Sequence, residues 1–236
     1  MNDYSYLGNE LQLFAKAVNW KLYYCSLIKK IIQGPDVLEV GAGIGTNTLY
    51  LINDKFSWVC LEPDPKLAKE IPHTLTQHDK TQTISVRVET LDTLPTQLKF
   101  DSILYIDVIE HIEDDFHELA RASNHLKPNG VVIIIAPAHN CLFSEFDSMI
   151  GHFRRYNKAN LMAIVPEGLS VVSMEYLDSV GLFASLANKL FLKQRIPTLK
   201  QIRTWDSLMV PVSKKIDRVL CCQFGKTILA VLEKSK

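Results

Sequence analysis

The chain has 236 residues, of which 47% are hydrophobic and 22% are charged, with 26 basic and 26 acidic side chains. This length and hydrophobic content suffice for one well-buried domain, and the balanced charge gives no global attraction to nucleic acid. The five cysteines show neither the spacing of a metal site nor an even disulfide framework, and we predict no metal ligands. The first residues lack the regions of a signal peptide, and the longest apolar run, 131–138, is too short to span a bilayer, so we predict a cytoplasmic protein.

The predicted elements are mostly alternating helices and strands. An apolar period of three and four residues predicts a helix over 10–32, which ends at Gly34-Pro35. Strands follow at 36–40, 57–62, 83–88, 101–106, 130–136 and 169–176, with helices at 46–53, 64–70 and 114–126. An amphipathic stretch at 181–192 and a last strand at 227–232, expected at the sheet edge, complete the chain. This order implies right-handed crossovers and a mostly parallel sheet.

Residues 37–48 carry the most informative motif, Val-Leu-Glu-Val-Gly-Ala-Gly-Ile-Gly-Thr-Asn-Thr. Glycines directly after a strand let the backbone turn sharply and approach a ligand closely. A dinucleotide loop needs Gly-x-Gly-x-x-Gly, but here the third glycine, Gly45, comes one place early. Glu39 at the strand end would repel a pyrophosphate and suits a cation such as an ammonium or sulfonium. The alternative is a structural turn of some other α/β protein.

Two further segments carry chemistry. Glu62 ends the second strand, where a carboxylate can accept both hydroxyls of a ribose, although it could also be a surface acid before a Pro-Asp-Pro turn. Residues 100–112 read Phe-Asp-Ser-Ile-Leu-Tyr-Ile-Asp-Val-Ile-Glu-His-Ile, and 126–130 read Leu-Lys-Pro-Asn-Gly.

Together these segments resemble the class I S-adenosylmethionine-dependent methyltransferases, and most closely the small-molecule subgroup related to ubiquinone-biosynthesis methyltransferases. The resemblance covers 14–236 and is most specific at 36–137. It implies an α/β, Rossmann-like, doubly wound and mostly parallel seven-stranded sheet with an antiparallel last strand. It also implies one domain, 1–236, made of an N-terminal helical cap (1–35), a cofactor-binding core (36–137) and an acceptor-side half (138–236) with a cap helix at 181–205.

The resemblance implies S-adenosylmethionine as the cofactor, held at the ends of the first four strands. Related enzymes often carry Asp where Thr90 stands, to accept from the adenine amino group. This departure leaves backbone groups of Thr90 and Leu91 for that contact, because Asp92 lies two places away. The predicted cofactor-binding residues are Glu39, Gly41, Ala42, Gly43, Gly45, Glu62, Pro63, Thr90, Leu91, Ile106 and Asp107.

A protein base is needed for a hydroxyl acceptor, whereas a neutral amine or a stabilised carbanion needs none. The candidates for the base are Asp107, His111, His152 and Tyr156, although His111 could instead cap or orient the next helix. The candidates for acceptor binding are His139, Asp147, Arg154 and Arg155. The two arginines could bind an anionic acceptor through paired hydrogen bonds, or could pair with the acidic segment 107–118.

These patterns predict methyl transfer to a small-molecule acceptor, with an anionic, glycolipid-like or isoprenoid-like compound as one option. The stretch 181–203 is amphipathic and then basic, which predicts either peripheral membrane contact or packing on the sheet or a second subunit. A nicotinamide-dependent oxidoreductase is disfavoured by the glycine spacing and Glu39. An RNA methyltransferase is disfavoured because 106–109 lacks the Asn/Asp-Pro-Pro-aromatic element. A scaffold without activity is disfavoured by the intact acids and glycines.

Overall fold

The structure, a computed structural model, describes residues 10–76, 84–189 and 196–235. Its centre is a seven-stranded sheet in the order β3-β2-β1-β4-β5-β7-β6. All pairs are parallel except those of β7, which is antiparallel to both neighbours. The predicted doubly wound α/β sheet with an antiparallel last strand is therefore confirmed. The strands are β1 (Asp36–Val40), β2 (Ser57–Leu61), β3 (Ile84–Arg87), β4 (Phe100–Ile106), β5 (Leu126–Pro137), β6 (Leu169–Leu177) and β7 (Thr227–Lys234).

The last strand does not lie at the sheet edge, and that prediction is wrong. Thr227 of β7 pairs with Pro137 of β5 on one side and with Leu177 of β6 on the other. The reason is burial, because the first six residues of β7 are all buried, as a central strand with two covered faces requires. Strand β6 contains exposed residues and takes the edge instead.

Helices cover both faces of the sheet. They are α1 (Glu10–Phe14), α2 (Val18–Ile31), α3 (Thr46–Leu51), α4 (Pro65–Thr76), α5 (Asp115–His125), α6 (Glu145–Met149), α7 (Lys158–Ala163), α8 (Ser179–Ala187), α9 (Leu199–Thr204) and α10 (Val210–Val219), and a π-helical turn (Trp205–Met209) joins α9 to α10. Alternate residues of β4 and β5 enter two separate cores, so that Leu104 and Ile133 face one layer and Ile103 and Val132 the other.

The helix predicted over 10–32 is broken in two between α1 and α2. The carboxylate of Asp206 accepts hydrogen bonds from the backbone N–H groups of Asn19 (3.1 Å) and Trp20 (2.8 Å) in the first turn of α2. These donors have no partner within a helix, and a distant side chain therefore determines where α2 begins. A second link runs from the Tyr23 hydroxyl to Asp217 of α10, at 2.9 Å. Helix α2 and the segment 205–219 thus form one helical cap.

The cap helix predicted over 181–205 is divided as well. Helix α8 covers its first part and α9 its last part, while residues 190–195, including Leu190 and Phe191 of the predicted apolar face, lie outside the described residues. Residues 1–9 of the predicted N-terminal cap and the first residue of the strand predicted at 83–88 also lie outside them. In the described ranges, every helix is too short or too polar to cross a bilayer.

Candidate active site

The carboxyl ends of the parallel strands form one edge of the sheet, and the predicted cofactor residues lie along it. The glycine loop follows β1, Glu62 follows β2 and Asp107 follows β4. Because β7 is antiparallel, its beginning lies at this same edge, and Lys226 just before it joins the site. Ligands of open α/β sheets bind at such an edge.

Two glycines of the loop serve different purposes. Gly41 has a φ of +66°, and a Cβ there would lie 2.7 Å from the Val108 side chain, so the fold itself requires glycine. Gly43 has a φ of +57°, but a Cβ there would meet only the Leu11 side chain, at 3.8 Å. The loop is therefore open at Gly43, where a ligand can approach the backbone.

The remaining loop positions hold this turn in place. The N–H of Ala42 donates to the carbonyl of Leu61 at 3.0 Å, and the N–H of Gly45 donates to the carbonyl of Ala42 at 3.0 Å. Gly45 then precedes the first residue of α3. The sharp turn between β1 and α3 predicted from the motif is thus formed by backbone hydrogen bonds.

Glu39 is a buried carboxylate at the end of β1. Its Oε2 accepts from the Thr48 hydroxyl (2.7 Å) and the Trp58 indole N–H (3.0 Å). Its Oε1 is buried and has no hydrogen-bond partner in the described parts of the chain. Burial raises the pKa of Glu39 to about 7, against the opposing effect of these two donors. This oxygen is therefore suited to accept a hydrogen bond from a cationic group.

Glu62 connects the end of β2 to the glycine loop. Its two carboxylate oxygens accept from the backbone N–H groups of Gly43 (2.7 Å) and Asp64 (2.9 Å). Burial raises the pKa of Glu62, although these two hydrogen bonds oppose the shift. Pro63, between Glu62 and Asp64, is half-buried. The carboxylate that the resemblance assigns to a ribose thus lies directly beside the open position at Gly43.

Thr90 and Asp92, which follow β3, are in contact with each other. The Thr90 hydroxyl donates to the carboxylate of Asp92, and Leu91 between them is buried. Asp92, which the spacing disfavours, therefore lies beside the position where related enzymes often carry an acid.

A lysine that sequence reasoning missed lies among the acids of this edge. The Lys21 ammonium donates to Asn47 Oδ1 at 2.9 Å, and the Tyr24 hydroxyl donates to the same oxygen at 2.6 Å. Burial lowers the pKa of Lys21, while the nearby carboxylates of Asp107 and Glu39 raise it. Lys21 is spaced by four residues from the apolar Cys25 and by seven from the apolar Ile28, and this helical spacing is the sequence signal that could have predicted a buried lysine.

Asp107 lies directly after β4 in a left-handed conformation, with a φ of 55°. Its backbone N–H donates to the carbonyl of Ile135 at 2.8 Å, so Ile106 and Asp107 border the site through the backbone. Its side chain is exposed at this edge of the sheet. Loss of hydration beside the surrounding protein groups raises the pKa of Asp107, and the positive charges of Lys21, His152 and Lys226 oppose that shift.

The predicted bases His111 and His152 are neighbours, with ring centroids 4.5 Å apart and planes at 86°. His152 Nδ1 lies 3.0 Å from Asp147 Oδ1, and its Nε2 lies 3.8 Å from the buried Glu110 carboxylate. Burial, followed by the neighbouring His152, lowers the pKa of His111 to about 4. Arg155 donates to both oxygens of Asp147, at 2.9 and 3.0 Å. Asp147 and Arg155 therefore bind each other.

The other predicted residues also have partners within the chain. The Tyr156 hydroxyl donates to Asp115 at 2.7 Å, and Arg154 pairs with the same carboxylate at 2.5 Å, in the acidic segment 107–118. Burial, followed by this carboxylate, raises the pKa of Tyr156, which disfavours it as a base. His139 Nε2 lies 3.0 Å from the carbonyl of Gly225.

Residues 38–132 match the family model described as a methyltransferase domain. The chain therefore contains a methyltransferase domain, and its sheet has the class I methyltransferase fold. The narrower resemblance to the ubiquinone-biosynthesis subgroup stays a prediction. A search of curated protein sequences gives no significant match.

Solved structures share the fold of this methyltransferase at low sequence identity. A protein described as a sarcosine dimethylglycine methyltransferase from Galdieria sulphuraria is 18% identical, with a TM-score of 0.60 over 92% of this chain and 84% of the other. Coclaurine N-methyltransferase, solved with N-methylheliamine and S-adenosylhomocysteine, is 14% identical, with a TM-score of 0.63 over 92% and 72%. N-methyltransferase NodS from Bradyrhizobium japonicum WM9, solved with S-adenosylhomocysteine, is 13% identical, with a TM-score of 0.57 over 94% and 87%.

S-adenosylmethionine is the cofactor that the sequence predicts, and two of these neighbours were solved with its demethylated product. The residues present fit this cofactor, because one buried oxygen of Glu39 has no partner among the residues that the structure describes and the backbone is open at Gly43. Glu39 is suited to the cationic part of the cofactor and Glu62 to its ribose. The individual cofactor-binding assignments stay predictions.

Proposed function

We propose that this methyltransferase acts on a small-molecule acceptor with an anionic group that Lys226 binds. The proposal is based on the groups that surround the Lys226 ammonium. It lies 3.8 Å from the centroid of the Trp205 ring and 3.4 Å from Asp178 Oδ2. Burial lowers the pKa of Lys226, and Asp178 opposes that shift.

Asp178 is shared between Lys226, at 3.4 Å, and three other donors. Its carboxylate accepts from the Trp205 indole N–H (2.7 Å), the Ser213 hydroxyl (2.6 Å) and the Gly181 backbone N–H (3.0 Å). An ammonium has three donors, and a buried charge needs good partners. A carboxylate or phosphate on the acceptor would supply them.

The helical cap supports a small acceptor. The hydrogen bonds from α2 to Asp206 and Asp217 hold the two parts of this cap together. Lys21 and Tyr24 of α2 bind Asn47 next to the glycine loop and so place the cap at the cofactor edge. A cap of this kind excludes water from the reacting groups and favours a compact ligand over a macromolecular surface. Phe183 on α8 is 67% exposed, which supports the peripheral membrane contact proposed for 181–203 and an acceptor with a lipid-like part.

S-adenosylmethionine supplies an electrophilic methyl group, so the task of the protein is to align the acceptor with it. Among the four predicted bases, Asp107 is the one that is exposed to the space at this edge. Its carboxylate makes no hydrogen bond with any residue that the structure describes. We assign it the role of accepting the proton when the acceptor is a hydroxyl.

The test is a methyl-transfer assay with the full chain, radiolabelled cofactor and paired small molecules that differ only in a carboxylate or its neutral amide. We expect label in the anionic member of a pair at a higher kcat/KM than in the neutral member. Equal transfer to both members, or transfer only to added RNA, would contradict the proposal.

A further inference from the structure

We infer that Glu110, His111 and His152 form a binding site for a divalent transition-metal ion such as Zn²⁺. One possible ligand atom from each residue lies within 4.8 Å of the other two. Two imidazoles and one carboxylate are a donor set that suits Zn²⁺ and similar ions, whereas Mg²⁺ and Ca²⁺ prefer oxygen ligands alone. Three protein ligands leave a coordination position open.

The carboxylate of Glu110 is the first observation that points to a cation. This side chain is fully buried, and neither of its oxygens has a hydrogen-bond partner in the described ranges. The nearest ring nitrogen, His152 Nε2, is 3.8 Å away, which is too far for a hydrogen bond. A buried carboxylate requires a compensating partner, and an ion between Glu110 and His152 would provide it.

The orientation of His152 is the second and independent observation. Its Nδ1 lies 3.0 Å from Asp147 Oδ1, and Arg155 holds Asp147 through two further hydrogen bonds. A carboxylate on one ring nitrogen fixes the tautomer and turns the other nitrogen towards a metal, which is the usual outer shell of a histidine ligand. Here the other nitrogen is the one that faces Glu110.

His111 completes the set from the same turn as Glu110. Its ring stands nearly perpendicular to that of His152, with centroids 4.5 Å apart, and a backbone hydrogen bond at Gly151 helps to hold it. The segment 109–111 is a 3-10 turn directly after β4, so the carboxyl edge of the sheet positions both residues.

A simple ion pair between Glu110 and His152 explains the cluster less well. Asp107 and Asp147 add negative charge around Glu110, and Arg155 opposes it. The guanidinium of Arg155 is already bound to both oxygens of Asp147. An ion bound between Glu110 and His152, which lie 3.8 Å apart, would approach the buried carboxylate more closely than the imidazole does.

The test uses the full chain, stripped with a chelator and then titrated with Co²⁺ and Zn²⁺ by visible absorption and calorimetry. We expect one ion per chain, and a Co²⁺ absorption band that Zn²⁺ removes by competition. Glu110→Gln and His152→Asn should each weaken binding at least about tenfold, because losing even an outer-shell partner of a metal ligand has an effect of this size. The His152→Asn amide can still donate to Asp147, which protects the surrounding hydrogen bonds.

His117→Asn is the matched control, because His117 lies on an exposed surface beside Asp114 and outside the cluster. It should bind Co²⁺ like the unaltered protein. S-adenosylhomocysteine binding verifies that each variant is folded. The inference would be overturned if the unaltered chain did not bind one ion per molecule. It would also be overturned if a folded His152→Asn variant bound Co²⁺ with unchanged affinity. Because the readout is ion binding, the result is independent of the acceptor proposed above.

Discussion

Asp206 accepts a hydrogen bond from the backbone N–H of Trp20 at 2.8 Å, although 186 positions separate the two residues. This contact begins α2 and attaches it to the π-helical turn of the C-terminal half. The N-terminal helix and the segment 205–219 therefore act as one cap beside the cofactor edge.

Asp206→Ala should destabilise the protein by about 2 kcal/mol, because buried donors of α2 lose their acceptor. The measurement is the free energy of unfolding in urea. Asp54→Ala is the control, since Asp54 is exposed in a loop, and it should change the stability by less than about 0.5 kcal/mol. Equal stability of the two variants would show that the cap does not depend on Asp206.

Gly43→Ala should weaken S-adenosylhomocysteine binding while the protein stays folded. The new Cβ fills the open space above the loop, and the positive φ of 57° adds strain of about 1–2 kcal/mol. Gly168→Ala is the matched control, because Gly168 has a φ of +88° and equally open surroundings but precedes β6 at the opposite end of the sheet. Calorimetry should show a loss of affinity in Gly43→Ala only. A similar loss of affinity in both variants would show that backbone strain alone causes the effect.

Much of the cofactor half could be predicted from sequence because its signals are local. The glycines after β1 and the acid after β2 are tied to strand ends within a few residues. The position of β7 could not be predicted, since a short apolar run fits a central or an edge strand, and only its pairing with both β5 and β6 decides. The cap depends on Asp206 and Trp20, which no local pattern connects.

The acceptor side could be predicted less well, because its contacts also join residues that no local sequence pattern connects. The sequence indicates Asp147, Arg155 and His152 as functional candidates but does not show that they bind one another. Lys226 was missed because its site exists only once the antiparallel β7 brings it to the carboxyl edge. The burial of Glu110 could not be predicted, because an acidic residue in a 3-10 turn gives no local signal of being buried.

Glu39 should make the stability of the ligand-free protein fall as pH rises. Burial raises its folded pKa to about 7 from an ordinary 4.5. Between these values the folded protein keeps the proton and the unfolded chain loses it, so deprotonation favours unfolding. Compared with Glu39→Gln, the unaltered protein should lose free energy of unfolding from pH 5 to pH 7. Parallel pH profiles of the two proteins would contradict the assignment.

Lys226→Met should raise KM for an anionic acceptor about tenfold, which corresponds to about 1.4 kcal/mol, with little change in kcat. The reason is that Lys226 binds the anion and does not take part in methyl transfer. Lys215→Met, on the exposed side of α10, is the control and should leave KM unchanged. Affinity for S-adenosylhomocysteine should be the same in both variants. An unchanged KM in Lys226→Met would remove the basis for an anionic acceptor.

Glu39, Glu62 and the open backbone at Gly43 are the groups on which the cofactor assignment depends most. Calorimetric titration of the full chain with S-adenosylhomocysteine tests it most directly. We predict saturable binding of one molecule per chain. A titration without binding heat, together with no protection against thermal unfolding, would contradict the assignment of this edge as the cofactor site.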